Sequence, residues 1–375
     1  MLSTSTILTL AVTICTATAS VIPRGYTNST NTTTSGSAYT LIAEYSGATF
    51  FDHFTAFTGQ DPTNGHVQYQ TLQAAADQQL IGFIHNSSSN SDTAYIGVDS
   101  KNAAPNGRNS VRLTSKDSFS AGSMAVIDVR HAPSQYGVWP AIWMLGSEGT
   151  WPESGESDIL EYVHRDDYNA MTLHTSPDCV VDNVTTTTQQ GRLIDGNCNA
   201  GKAFTGCSVK AYNQNTVSIT SPGTNANTKA LPSTKTFATA GSAFNTRGGT
   251  VYIHDWQPTG ITIWSFPRSN LPADLLSGSP QPSTWTQTPL AKFTGSGCKF
   301  DQAFKKMQLI INITFCGEWA GKVWESSGAM EETGYETCEE WVSSGPEKFE
   351  ESFFEIGSVK FYSSTGEKPG NGVGV

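Results

Sequence analysis

Three carboxylates lie within six residues of the chain, in the segment 156–161, which reads Glu-Ser-Asp-Ile-Leu-Glu. The apolar residues within and after this segment predict a strand. Because successive side chains of a strand point to opposite faces, Glu156 and Asp158 share one face, whereas Glu161 would point to the other. A single β-bulge restores Glu161 to the face of Glu156, and bulges are frequent beside active sites. We therefore expect a bulge in this strand.

Three acids on one strand face repel one another unless a bound group or a reaction uses them. Such a set can ligate a hard cation such as calcium, or it can supply the acid and the nucleophile that cleave a glycosidic bond. A third interpretation is an exposed acidic strand edge. The acids alone leave these three interpretations open.

Two tryptophans precede the acidic strand in a second apolar, strand-like segment. Trp139 and Trp143 are four residues apart, so on a strand they share a face. An indole offers a broad apolar plate on which the C–H face of a sugar ring can stack. Either side chain could instead belong to the core.

The composition narrows the classes of partner. The 375-residue chain has a formal net charge of −11, and 15% of its residues are charged, below the roughly 25% of an average soluble domain. An acidic chain is poorly suited to nucleic acid or to an anionic membrane surface, and it suits a neutral or cationic partner. We predict no cofactor and no metal in the chemistry, and a monomer.

The ends of the chain predict secretion. Residues 1–19 fit a signal peptide, with a short apolar run and a small-x-small cleavage pattern, and residues 20–38 form a Ser/Thr-rich leader. We expect a catalytic domain over residues 39–365 and a polar tail over 366–375, without a transmembrane segment. Six cysteines lie beyond the predicted signal peptide, which favours three disulfides in fifteen possible connectivities.

The rest of the chain consists of short strand-like segments separated by Gly, Asn and Ser turns, without long amphipathic helices between them. This pattern predicts an all-β fold, an antiparallel β-sandwich. The segment 318–355 holds eleven Glu and two Lys, which indicates a solvated acidic face, with calcium binding as the alternative. Sequons occur at Asn28, Asn31, Asn86, Asn183 and Asn312. Asn312 lies in an apolar run, so we expect it to be buried and unmodified.

Taken together, these segments resemble glycoside hydrolase family 16, and specifically its fungal laminarinase-like endo-β-1,3(4)-glucanases. The motif E-x-D-x-x-E is formed by Glu156, Asp158 and Glu161. The supporting stretches are G-x-W-P-A-x-W at 137–143, T-L-H-T at 172–175, G-R-N-S-V-R at 107–112, D-W at 255–256 and F-C-G-E-W-A-G at 315–321. The likeness extends from about residue 39 to residue 362.

The resemblance implies a β-jelly roll with a concave substrate cleft and a role for each acid. Glu156 falls at the nucleophile of the family, Glu161 at the acid/base, and Asp158 at the assisting carboxylate between them. A retaining glycosidase needs its two catalytic carboxyl groups roughly 5–5.5 Å apart. The resemblance further implies that His174 is a cleft residue.

Trp139, Trp143 and Trp256 become candidate sugar platforms by the same resemblance. Three positions depart from the family pattern. Ser157 replaces a bulky aliphatic residue and by alternation points away from the acids. Tyr162 and His164 stand where relatives often carry Gly and Asn, at positions that we expect to border the cleft.

Three functional hypotheses follow. The first is a secreted endo-β-glucanase that cleaves β-1,3 or mixed β-1,3/1,4 glucans with retention of configuration. The second is a transglycosylase that uses the same site and passes the glycosyl group to another glucan. The third is a non-catalytic β-glucan-binding protein, which the presence of all three acids disfavours.

Overall fold

The computed structural model describes residues 39–86, 91–182, 188–201, 205–216 and 235–372. The predicted signal peptide (1–19), the predicted leader (20–38) and the sequon at Asn183 lie outside the described residues and stay predictions. None of the helices in the described part of the chain combines the length and the apolar composition needed to cross a bilayer.

Two eight-stranded antiparallel sheets form the body of the fold. The first sheet has the spatial order β13 (Arg192–Asp195), β14 (Cys207–Ala211), β12 (Asn169–His174), β11 (Glu156–Glu161), β10 (Val138–Gly146), β20 (Met307–Phe315), β7 (Arg112–Ser115) and β2 (Phe54–Ala56). The second has the order β19 (Ala291–Thr294), β18 (Gly260–Phe266), β17 (Thr250–Gln257), β9 (Ser123–His131), β21 (Phe354–Ser363), β5 (Ser91–Ile96) and β4 (Ile81–Asn86), and β1 (Thr40–Ser46) also pairs with β21. The predicted antiparallel β-sandwich is confirmed.

Smaller elements decorate the sheets. The two-stranded pairs are β3 (Val67–Tyr69) with β6 (Arg108–Ser110), β8 (Asp117–Ser118) with β22 (Gly370–Asn371), and β15 (Asn213–Thr216) with β16 (Lys235–Ala238). The helices are α1 (Leu72–Asp77), α2 (Gly241–Thr246), α3 (Ala273–Leu276), α4 (Phe300–Ala303), α5 (Ala329–Thr333) and α6 (Cys338–Ser343). Strand β22 lies within the stretch that we predicted as a polar tail, and it pairs with β8.

The period of two along the strands sorts side chains into layers. On β10, Ile142 and Met144 enter the core between the sheets, while Trp139 and Trp143 lie on the opposite face. In the second sheet, strand β9 buries apolar side chains on both of its faces. On β9, Ile127 packs in the main core, and its neighbours Met124 and Val126 pack in a second cluster with Leu275 of α3. The first sheet therefore has one open face, and the second has none along β9.

All six cysteines beyond residue 19 form disulfides, as predicted, and the structure selects one connectivity. The pairs are Cys179–Cys298, Cys198–Cys207 and Cys316–Cys338. The last pair joins the end of β20 to α6. Glu331 on α5 and Glu339 and Glu340 on α6 are exposed, in agreement with a solvated acidic face.

Candidate active site

Strand β11 contains the predicted bulge. Opposite β10, Leu160 pairs with Ile142 and Asp158 pairs with Trp143, so Ile159 is an extra residue in the register. Ile159 and Leu160 are adjacent, yet both are fully buried in the same core. This doubling of the core-facing position returns Glu161 to the face of Glu156 and Asp158, and all three acids line one cleft.

The cleft crosses the open face of the first sheet and has a volume of about 650 Å³. The strand of the acids is in the middle of the sheet, so the cleft extends to both sides of it. On the side of β10 and β20 the lining includes three indoles, those of Trp139, Trp143 and Trp319, among polar and charged residues. On the side of β12 and β14 it is polar, and includes Ser208 and Lys210. The two halves of the cleft thus differ in chemistry.

Glu156 lies between a hydrogen-bond donor and a cation. The indole Nε1 of Trp151 donates to its Oε2 over 2.8 Å, and Nε2 of His174 lies 3.8 Å from its Oε1. Burial and the negative charge of Asp158 raise the pKa of Glu156 to about 7, while His174 and the Trp151 donor act in the opposite direction. The site thus partly compensates the cost of ionising this buried carboxyl.

Glu161 lies in a less compensated environment. Its Oε1 accepts the indole N–H of Trp139 over 2.8 Å. Burial, followed by the charge of Asp158, raises the pKa of Glu161 well above its usual value. Two buried carboxyls whose surroundings hold protons with different strength are the arrangement that acid–base catalysis requires.

His174 is held as a cation. Its Nδ1 lies 3.1 Å from the carbonyl oxygen of Thr205, which can only accept a proton, so Nδ1 donates. Its Nε2 lies 3.3 Å from Oδ2 of Asp158. Burial opposes the charge on the imidazole, but the contact with Asp158 and the nearby charge of Glu156 outweigh it and raise the pKa of His174 to about 10. The prediction that His174 is a cleft residue agrees with this position.

Glu156, Asp158 and His174 present ligand atoms within 4.8 Å of one another, a spacing that also suits a metal ion. A histidine ligates a metal through a neutral ring nitrogen. The Nδ1 contact with the carbonyl oxygen of Thr205 leaves Nε2 as the ring nitrogen that faces the acids, and the raised pKa of His174 favours a proton on it.

Trp143 is fixed at the floor of the cleft. Its Nε1 donates to Oδ1 of Asn312 over 2.7 Å, and Nδ2 of Asn312 donates to the hydroxyl of Tyr69. The guanidinium carbon of Arg112 lies over two rings, 5.0 Å from the centroid of Trp143 and 4.8 Å from the centroid of Phe57. Asn312 is 7% exposed, so the prediction that this sequon is buried is confirmed.

The prediction that Trp256 is a sugar platform is wrong. Trp256 is 2% exposed, and its Nε1 donates to the carbonyl oxygen of Phe300. It belongs to β17 of the second sheet and packs in the core, with its ring edge-to-face against Phe304. A side chain enclosed in this way cannot stack on a saccharide.

Two expected cleft-border residues are also core residues. Tyr162 is fully buried and donates its hydroxyl hydrogen to the carbonyl oxygen of Pro133. His164 is buried with a φ of 59°, and its Nδ1 accepts the N–H of Gly137. Ser157 does point away from the acids, as predicted, and its Oγ lies 3.0 Å from Nε2 of His254 in the second sheet.

The cleft residues that were not candidates from the sequence include Trp151, Trp319 and Arg112. Trp151 lies in the connection between β10 and β11, five residues before Glu156, where no strand pattern predicts its direction. Trp319 lies in the helical turn Gly317–Gly321 after β20, and its ring meets Trp139 edge-to-face. The sequence did offer a signal for each of them. Trp151 adjoins the acidic strand, and Trp319 and Arg112 lie in stretches that carry the family resemblance.

An antiparallel sandwich with a carboxylate pair in an aromatic cleft defines the class of β-jelly-roll glycosidases. A family model described as "XgeA-like, catalytic GH16 domain" matches residues 54–229 and 213–362. The chain belongs to glycoside hydrolase family 16.

Relatives and solved structures agree with this assignment. The chain is 37% identical over 331 residues to a probable endo-1,3(4)-beta-glucanase of Aspergillus fumigatus, covering 86% of this chain and 45% of that protein. The chain thus spans about half the length of this relative. Among solved structures it is similar to an elongating family 16 beta-1,3-glucosyltransferase, with 34% identity and a TM-score of 0.72, over 87% of this chain and 100% of that one. It is also similar to laminarinase 16A from Phanerochaete chrysosporium, solved with 6-O-glucosyl-laminaritriose in its donor and acceptor sites, with 32% identity, a TM-score of 0.71 and the same coverage.

Proposed function

We propose that the chain is a secreted, endo-acting glycosidase that cleaves β-1,3 or mixed β-1,3/1,4 glucans with retention of configuration. The observation that carries the proposal is the placement of Glu156 and Glu161 on one strand face, each held by its own indole donor in one cleft. The names of the Aspergillus relative and of the laminarinase support the substrate class. The three disulfides support an oxidising compartment.

Glu156 is the nucleophile in this proposal. The Trp151 donor and the His174 cation favour its ionised form, which attacks the anomeric carbon. Glu161 is the general acid, because burial keeps its proton available for the glycosidic oxygen. The C–O bond breaks as the carboxylate oxygen of Glu156 bonds to the sugar, and the leaving chain departs with the proton.

The second step releases the sugar. Ionised Glu161 removes a proton from water, the resulting hydroxide attacks the anomeric carbon, and Glu156 leaves as a carboxylate. Two inversions at one carbon give net retention. Asp158 is the assisting carboxylate, since its charge raises the pKa of both glutamates and it contacts His174.

An endo mode of action is supported by the shape of the cleft, which continues to both sides of the acids. Trp139 and Trp319 offer aromatic plates on the β10 side, and Ser208 and Lys210 offer polar groups on the β12 side, so both halves of the cleft can contact a glucan chain.

Transglycosylation is the second candidate, and one observation favours it. The similar glucosyltransferase shows that a chain 34% identical to this one carries out elongation. Both activities share the glycosyl-enzyme intermediate and differ in whether water or a second glucan attacks it. A non-catalytic glucan-binding role leaves the differently compensated pair of glutamates unexplained.

A panel of defined substrates tests the proposal. The purified chain is incubated with laminarin, lichenan and reduced laminari-oligosaccharides, and the anomer first released is followed by proton NMR while product lengths are measured by mass spectrometry. We expect internal cleavage with the β-anomer released first, and loss of both in Glu156→Gln. Products longer than the substrate indicate transglycosylation. An α-anomer released first, or a Glu156→Gln variant as active as the wild type, contradicts the mechanism.

A further inference from the structure

The bulge in β11 interrupts backbone pairing on the side of β12. Residue pairs between these strands extend over Glu156 with His174 and Ser157 with Leu173, and the described ladder ends there. Beyond it, the side chain of Asn169, the first residue of β12, contacts the backbone of β11. Its Nδ2 donates to the carbonyl oxygen of Ile159 over 2.7 Å, and its Oδ1 accepts the N–H of Glu161 over 2.9 Å. One amide therefore bridges the bulge from end to end.

Asn169 is itself held in place from the other side. It is fully buried, and its backbone N–H donates to Oγ1 of Thr239 over 2.8 Å. Thr239 in turn donates its hydroxyl hydrogen to the carbonyl oxygen of Ala211, the residue of β14 that is opposite Asn169 in the register. Hydrogen bonds thus hold both the backbone of Asn169 and its side-chain amide in place.

The chemistry of the side chain matches the task. A carboxamide offers a donor and an acceptor side by side, and the bulge presents one carbonyl and one N–H. Buried backbone groups need partners, and the interrupted ladder does not supply them here. Both contacts act on the peptide units on either side of Leu160, so they fix the direction in which Glu161 leaves the strand.

We propose that Asn169 is the positioning residue of the acid/base: its side-chain amide bridges Ile159 and Glu161 across the bulge and aims the Glu161 carboxyl at the leaving oxygen. This inference rests on the proposed function, because it takes Glu161 to be the general acid. Asn169 does not reach the cleft, whose lining begins at its neighbour Ala170. Its effect is therefore exerted through the backbone.

The matched control is Asn245. Its Nδ2 donates to the carbonyl oxygen of Ala132 over 2.8 Å, and its Oδ1 accepts the N–H of the same residue over 2.9 Å. It makes the same pair of side-chain to backbone hydrogen bonds, but outside the cleft. Asn245→Leu thus reports what loss of such a pair does to stability alone.

The test compares kcat/KM of the full chain on laminarin and on 2,4-dinitrophenyl β-laminaribioside, whose leaving group needs no proton. This ratio reports bond cleavage up to formation of the glycosyl-enzyme. We expect Asn169→Leu to lose about 100-fold on laminarin and less than about 5-fold on the aryl glycoside, because general acid catalysis contributes on the order of 10² to 10⁴. Asn245→Leu should leave the ratio of the two kcat/KM values, laminarin to aryl glycoside, as it is in the wild type. Equal losses on both substrates in Asn169→Leu overturn the inference.

Asn169→Asp provides a second test if the leucine variant does not fold. A protonated aspartic acid offers an O–H and a carbonyl in place of the amide, whereas the ionised form lacks the donor. The ratio of laminarin to aryl-glycoside activity should approach the wild-type ratio as the pH falls, and a pH-independent ratio contradicts the bridge. A wild-type chain inactive on every β-glucan overturns the proposed function instead.

Discussion

Trp151 donates its indole N–H to Oε2 of Glu156 over 2.8 Å, and the other oxygen of that carboxyl lies 3.8 Å from Nε2 of His174. Trp139 makes the corresponding bond to Glu161. Among the described residues, the only ion-pair contact to either glutamate is that between Nε2 of His174 and Oε1 of Glu156, at 3.8 Å. The two carboxyls share a strand, a cleft and a depth of burial. The different roles that we propose for them therefore depend on neighbouring side chains from other segments.

The two indole donors should control different limbs of the pH profile. Burial raises the pKa of Glu156, and the Trp151 donor partly reverses this effect. In Trp151→Phe the pKa should rise further, so the acidic limb of kcat/KM should move to higher pH. In Trp139→Phe the basic limb should move to higher pH, because the pKa of Glu161 loses its lowering donor. If both variants shift the same limb of the profile, the assignment of roles is contradicted.

Removal of the acid should depend on the leaving group. Glu161→Ala should lose about 10²-fold or more on laminarin and far less on an activated aryl glycoside, because only the first substrate requires protonation. Added azide should partly restore turnover of the aryl glycoside by attacking the glycosyl-enzyme in place of activated water. Parallel losses on both substrates, with no effect of azide, argue against an acid/base role.

Burial of Glu156 should lower the free energy of unfolding at high pH. The pKa of Glu156 is about 7 in the folded chain against 4.5 for an exposed glutamate. Below about pH 4.5 the carboxyl is protonated in both states, and as the pH rises to about 7 the free energy of unfolding falls, because ionisation is easier in the unfolded chain. Glu156→Gln should therefore raise Tm by a few degrees at pH 8 and leave it unchanged at pH 4.

An exposed residue offers the control for that measurement. Glu331→Gln on α5 should leave the Tm difference near zero at both values of pH, since its side chain faces solvent. Scanning calorimetry at pH 4 and pH 8 on the three proteins compares the differences directly. A Glu156→Gln variant that is less stable than the wild type at pH 8 contradicts the electrostatic account.

Core and cleft tryptophans should respond in opposite ways. Trp256→Ala should cost on the order of 3–5 kcal/mol of stability, as for other buried aromatic truncations, with KM unchanged in the folded fraction. Trp319→Ala should raise KM for laminarin about tenfold, with little change in Tm, because its ring lines the cleft. Urea denaturation and steady-state kinetics separate the two effects. A Trp256→Ala protein with a raised KM and unchanged stability contradicts the core assignment.

A chelator should not affect turnover. The raised pKa of His174 favours a proton on the nitrogen through which it would bind a metal, so we expect the reaction to proceed without a cation at Glu156, Asp158 and His174. Activity on laminarin before and after dialysis against EDTA measures this. A loss that added calcium or zinc restores contradicts the protonated state of His174.

The acidic strand could be predicted from its residues because its spacing is unusual. An offset of five between Glu156 and Glu161 is incompatible with one face of a regular strand, so a bulge was the simplest solution. Trp256 could not be assigned in this way. Strand β17 is buried on both faces, between the main core and the outer cluster, so alternation along it does not separate cleft from core.

Asn169 also left no pattern in the sequence. Its partners are backbone atoms of Ile159 and Glu161, and every residue type offers those atoms. Trp151 and Trp319 lie in connections, where side-chain direction depends on the path of the chain rather than on a repeat. Sequence periodicity predicts positions within sheets, and the connections between strands escape it.

Because Ile159 and Leu160 both face the core, the face on which Glu161 lies depends on the number of residues between Glu156 and Glu161. Side chains in this stretch can be exchanged one for one, but loss of a single codon there would turn Glu161 inward and leave its place in the groove empty. A gain of one codon would have the same outcome. We therefore expect homologous sequences to tolerate substitutions in this stretch, but not insertions or deletions of one residue, if they retain activity.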